Sequence, residues 1–159
     1  MTEQSKIDAL RATPVPARDL FIDGGWRSAQ SGQRLDVISP IDGSKLTTLA
    51  AGGAQDIDLA VAAARRSFDD GRWSRAAPAQ RKKVLHRIAD LIEQHALELA
   101  VLGVRDNGTE ISMALKAEPG SAAGTFRYYA EAIDKVYGEI APTADNVLAL
   151  IHREPIGVV

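Results

Sequence analysis

The chain has 159 residues, with 19 Lys and Arg against 21 Asp and Glu, a formal net charge of −2, and 45% hydrophobic residues. That length predicts one domain with a modest core, and so even a charge balance excludes a field for holding nucleic acid or an anionic membrane surface. The lack of any cysteine excludes disulfides, thiolate metal sites and a thiol nucleophile within these residues.

Residues 1–18 read as an N-terminal arm, polar at Met1–Asp8 and marked by Pro14 and Pro16. Two fixed φ angles favour an extended, surface-lying arm over a helix. The start has no apolar core of a signal peptide, and no apolar run reaches the length of a bilayer span, so a cytoplasmic protein is expected. From Leu20 to Leu49 the pattern is strand-like. Leu20-Phe21-Ile22 and Trp26 flank Asp23-Gly24, a hairpin signal, because glycine takes positive φ without steric cost. Leu35–Ile38 and Lys45–Leu49 are further strands around Pro40 and Gly43. One small antiparallel sheet, closed by Gly52-Gly53, is the expected result.

Helices follow. Ile57, Val61, Ala64 and Phe68 share a helical face, with Asp56 and Asp58 in the first turn where the macrodipole favours acids. Val84, Leu85, Ile88, Leu91 and Ile92 form a second face, continued by Leu97, Ala100, Val101 and Val104 up to Asp106-Asn107-Gly108, a helix-ending signal. Pro119 is expected to open a long helix with core residues Ala122, Phe126, Tyr129, Ile133 and Val136, ended by Gly138. Val147–Ile151 and Ile156–Val159 are strand-like. An apolar strand pattern at the very end suggests pairing with another chain or a longer parent sequence.

Spacing alone assigns no catalytic or cofactor-binding residue. No G-x-G-x-x-G, Walker, G-x-S-x-G, H-E-x-x-H or EF-hand pattern occurs in the sequence. His86 and His95 cannot share a helix face at metal-ligand spacing, His152 stands near a strand end, and Arg81-Lys82-Lys83 with Arg87 reads as a solvated face.

Short runs in order carry a resemblance. Phe21-Ile22-Asp23-Gly24-Gly25-Trp26, Val37-Ile38-Ser39-Pro40-Ile41-Asp42-Gly43, Asp56–Ala64, Trp73-Ser74 with Arg81–Glu93, Asp106-Asn107-Gly108, Phe126–Ala130 and Arg153–Val159 resemble, one after another, segments of the aldehyde dehydrogenase superfamily. The match covers residues 19–159. Glu-Pro-x-Gly-Val leads, in that family, into the strand before its first cofactor loop. The resemblance therefore implies the N-terminal portion of a longer NAD(P)-dependent enzyme that oxidises aldehydes to carboxylic acids. The family's catalytic cysteine and general-base glutamate, and its NAD or NADP site, would lie beyond Val159, leaving this chain inactive alone and a poor binder of either cofactor.

The implied fold is α/β, α+β within these residues: a small antiparallel N-terminal sheet plus helices that would flank a parallel nucleotide-binding sheet. Residues 19–140 correspond to the N-terminal part of the cofactor-binding domain. Residues 141–159 correspond to the first arm of an oligomerisation hairpin, Val147–Ile151, and the entry to the sheet. The resemblance further implies a monovalent-cation site at Val37, Ile38 and Asp106, and a substrate-tunnel lining at Ser121 and Thr125. Expected partners are a small-molecule aldehyde and further copies of the chain through Val147–Ile151, with no nucleic acid and no membrane. Thr109-Glu110 stands where the family usually has Lys-Pro, and the overall flavour is nearest to members acting on amino- or γ-glutamylamino-butyraldehydes. A free-standing module that pairs by strand addition with a full-length dehydrogenase is the competing reading.

Overall fold

The structure, a computed structural model, describes residues 2–159. Met1 of the expected arm lies outside the described residues. The arm is not extended throughout: Glu3–Ala12 form helix α1. The Thr2 hydroxyl oxygen accepts from the Ser5 N–H at 3.2 Å, a local cap for the first turn. Proline restricts only itself and the residue before it. Helicity therefore persists to Ala12 and stops at Thr13, whose ψ of 126° is extended.

β1 (Leu20–Ile22) and β2 (Gly25–Arg27) form the expected hairpin. Asp23 and Gly24 both take positive φ, 57° and 76°, the signature of a turn whose twist matches the flanking strands. β3 (Arg34–Ile38) pairs with β4 (Lys45–Ala50), with an irregularity after Val37. The expected single sheet is instead two separate antiparallel ladders. They meet where Arg18, just before β1, bridges Leu49, its N–H donating to Thr48 O and its carbonyl accepting from the Ala50 N–H, and where Arg34 of β3 pairs with Asp19 at 2.7 Å.

Four helices follow: α2 (Ala54–Asp69), α3 (Pro78–Gln94), α4 (Ala96–Asn107) and α5 (Ile111–Ala132). The continuous apolar pattern from Val84 to Val104 is broken in space at His95, which closes α3 and opens α4. Gly108, at φ 77°, ends α4 as its sequence signalled. Pro119 does not open the last helix but sits buried inside it. Its missing N–H costs one helical hydrogen bond. Packing of α5 along both α3 and α4 offsets that loss.

Beyond α5, β5 (Glu139–Ala141) pairs antiparallel with β6 (Ala149–Ile151). The run at Val147–Ile151 is thus the second arm of a hairpin whose first arm the sequence reading missed; three residues of Glu-Ile-Ala are too short to show alternation. Ile156–Val159 form no strand, and Ile156 is exposed. A strand needs a neighbour to receive its N–H and C=O groups.

The core is made of small side chains. Ala89, Ala100, Ala114, Ala123 and Ala130 are completely inaccessible, whereas no large side chain among the described residues is fully buried. Close helix seams result. The expected core face of α2 is uncovered, with Ile57 60% and Val61 49% exposed. In α5 the seam runs through Ala114, Pro119, Ala123 and Ala130, while Ala122 and Tyr129 face outward. The chain exposes 11,429 Å²; a compact monomer of this mass exposes about 7,700 Å². Close to half as much surface again lies open, much of it apolar.

Candidate functional site

A hollow of about 750 Å³ separates α4 from the β3–β4 hairpin. Strand alternation and helix pitch bring Val37 and Asp106 to its wall, along with Thr47, Leu49 and Leu102 and the arm residues Pro14–Pro16. Ile38 is not among its lining residues and is half exposed, since neighbours on a strand point to opposite faces. The Thr47 hydroxyl is buried with no hydrogen-bond partner. No group of three or more His, Asp or Glu side chains capable of holding a metal exists among the described residues. A cation held here would therefore take its oxygens chiefly from the main chain, with Asp106 and Glu98 as the carboxylates on the wall. A hard, weakly charged ion suits such donors.

Two close approaches fix the Asp106 end of α4. Pro40, in the turn after β3, lies where a Cβ on Gly108 would come within 3.2 Å, and the positive φ at Gly108 also favours glycine. The Asn107 side-chain oxygen accepts from the Thr109 N–H at 2.7 Å, turning the chain toward α5.

Ser121 and Thr125 lie one turn apart on α5, both exposed. The Thr125 hydroxyl donates to the Ser121 carbonyl at 2.9 Å, so its proton is already committed to its own helix. Each lies two residues from Ala123 of the seam, on the opposite side of the helix, and they share a face that no other described element covers.

Of the basic run expected to be solvated, Lys83 and Arg87 are exposed, but Lys82 does something else. Lys82 is only 22% exposed and bonds Glu131 at 2.9 Å and Asp134 at 3.1 Å, joining α3 to the end of α5. His86 meets the other Glu131 oxygen at 2.8 Å. Arg127 pairs with Asp90 and Glu93 at 3.0 and 2.6 Å. Hydrogen bonds from Lys135 and Lys82 hold Asp134 down at about 2. Lys82, then His86, lower Glu131, while Glu131 and Asp134 raise Lys82. The sequence marked these residues as charged, but only the α3–α5 crossing shows that they latch two helices.

One strand-to-helix turn, Gly52-Gly53 between β4 and α2, has the glycine pair that phosphate-binding turns use. Here the Gly53 donor is occupied. Asp56, 3% exposed, accepts from the Gly53 N–H at 3.0 Å and from the Gln30 N–H at 3.2 and 3.3 Å. A buried carboxylate at that helix start repels a phosphate, so these residues do not fit a dinucleotide.

Comparison with known proteins gives this scaffold a place. The profile of the aldehyde dehydrogenase family matches residues 26–159. The chain is 46% identical over 140 residues to the NADP/NAD-dependent aldehyde dehydrogenase PuuC of Escherichia coli, covering 88% of this chain and 28% of PuuC. It is 44% identical over 151 residues to an aminoacetaldehyde dehydrogenase of Pseudomonas aeruginosa, covering 95% of this chain and 30% of that enzyme. The crystal structure of a gamma-glutamyl-gamma-aminobutyraldehyde dehydrogenase from Burkholderia cenocepacia superimposes with a TM-score of 0.91 at 40% identity, over 96% of this chain and 31% of that one. The chain thus spans less than a third of the length of each of these three relatives. Its order of hairpins and helices, and the family profile that runs through all but its first 25 residues, make it a member of the aldehyde dehydrogenase family.

Proposed function

We propose that this chain is the N-terminal scaffold of an NAD(P)-dependent aldehyde dehydrogenase that oxidises an amino- or γ-glutamylamino-aldehyde to the carboxylic acid. The observation that carries this reading is the superposition on a γ-glutamylaminobutyraldehyde enzyme at 0.91 over nearly the whole chain. The activities for which PuuC and the aminoacetaldehyde enzyme are named support it. The open apolar faces of α2, β5 and β6 support it as well, since apolar area of this size is stable only when covered. The reactive thiolate, the general-base carboxylate and the NAD or NADP site belong, in this reading, to a part outside these 159 residues. That part supplies hydride acceptance; this chain supplies shape and positioning.

Within that role, Val37, Ile38 and Asp106 hold a monovalent cation. The shared hollow of Val37 and Asp106 and the unpartnered Thr47 hydroxyl support the site. Ile38 enters through its main chain alone. Ser121 and Thr125 line the substrate passage from the uncovered side of α5. The β5–β6 hairpin, with Ile140, Leu148 and Leu150 exposed, pairs with another subunit to build a homo-oligomer. Residues 1–18 act as the arm, 19–140 as the first part of the cofactor-binding domain, and 141–159 as the β6 arm of the hairpin and sheet entry. No described helix is long and apolar enough to cross a membrane, and we place the enzyme in the cytoplasm.

Split-enzyme complementation tests the reading. The purified chain with NAD+ and 4-aminobutyraldehyde yields no NADH. Co-expressed with the part of PuuC that it does not match, it restores NADH production. NADH from the chain alone, or no restoration by a soluble co-purifying pair, overturns the proposal.

A further inference from the structure

Helix α1 is held more loosely than the helices it accompanies. None of its ten described residues is buried, and its packing runs to α4. Cavities flank that seam, one of about 330 Å³ lined by Ile7, Val101 and Val104, another of about 390 Å³ lined by Leu10 and Leu97. A helix of ten residues is marginal in water by itself. α1 is therefore helical only while seated on α4, and leaving that seat means unfolding.

One side chain clasps it. Arg105 Nη1 donates to the Thr13 carbonyl at 2.7 Å and, more weakly, to the Leu10 carbonyl at 3.4 Å. These oxygens lie at the C-terminal end of α1, where the helix carries partial negative charge. Just beyond, Pro14 and Pro16 stiffen the chain, and the same stretch walls the hollow that contains Asp106. Arg105 and Asp106 are consecutive in α4. The arm's attachment and the Asp106 carboxylate thus share one helix end.

We propose that residues 2–17, up to the Arg18 bridge to β4, form a detachable strap clasped by Arg105, whose release unfolds α1, bares Val101 and Val104, and opens the hollow beside Asp106. Strap release is independent of whether a cation occupies the hollow. Hydrogen exchange on the 159-residue chain tests it. Amides of residues 6–12 should exchange at least about tenfold faster than those of α3 and α5 through local opening. Arg105→Met should raise that rate a further tenfold or so, because a charge-assisted donor is lost, and should speed tryptic cleavage after Lys6 and Arg11. Arg105→Lys should fall between. Equal protection of α1 and α5 in the unaltered chain overturns the strap. Unchanged α1 exchange in Arg105→Met, or loss spread equally over all helices, overturns the clasp.

Discussion

The α3–α5 seam and the outer face of α2 are both amphipathic helix surfaces, yet they ended differently. At the seam, Ala89, Ala123 and Ala130 let backbones approach, and Lys82, His86 and Arg127 span the crossing to acids on the partner helix. On α2, Ile57 and Val61 are larger and more apolar, and they face outward. Hydrophobicity alone did not decide burial. The seam closes because both of its surfaces lie in this chain; the α2 face has no matching surface among the described residues. An amphipathic stripe specifies that something must cover it, not what does.

Four substitutions break or sharpen this contrast. Ala123→Leu forces new volume into a fully closed seam and should cost about 3 kcal/mol, read by urea denaturation. A cost near zero would mean the seam is looser than its inaccessibility implies. Asp56→Ala should cost about 2 kcal/mol, since it strands the Gly53 and Gln30 N–H groups; the local exchange of those two amides is the direct readout.

Glu131→Gln should lower the melting temperature less than either, because the latch is solvent-exposed and exposed ion pairs contribute little. Its effect carries a pH signature. Glu131 and Asp134 lie below their ordinary values of 4.5 and 3.8, Asp134 at about 2. Their contribution is complete above about pH 4.5 and is lost as pH falls toward 2. Lys82, raised above 10.5, contributes below pH 10.5 and less as pH climbs beyond it. The gap between Glu131→Gln and the unaltered chain should therefore shrink as pH falls below 4.5. A gap constant over that range would detach the latch from stability. The smallest effect belongs to Ile57→Ser, within about 0.5 kcal/mol in this chain because its site is already wet. In the complemented enzyme the same change should weaken assembly, and an equal, negligible effect in both settings would mean α2 stays uncovered.

Local chemistry was legible where local rules govern. Asp23-Gly24 specified a type of turn that two positive φ angles now display, and Gly108 ended α4 where its freedom was needed. Family order was legible too, through short runs that each fix a turn or a helix start. The failures have physical reasons. α1 was hidden by Pro14 and Pro16, whose restriction reaches only one residue back. Pro119 reads as a helix opener because, locally, it is one; it became interior because packing on two neighbours outweighed one absent hydrogen bond. The two ladders read as one sheet because register within a hairpin is local, but contact between hairpins is not.

The site divides in the same way. Asp106 and Val37 stand 69 positions apart in the chain, and only the packing of α4 over the β3–β4 hairpin puts them on one hollow. Ser121 and Thr125 share a face through helical pitch alone, which spacing already dictates. By itself the sequence determined most element types, most turns, the family and the lack of a thiol nucleophile, because backbone sterics and side-chain chemistry act over a few residues. Tertiary structure decided which apolar stripe closed, that Lys82 latches two helices, that Asp56 fills the glycine turn and that Arg105 grips α1. Each of those depends on distances between residues remote in the chain, set by how whole helices pack.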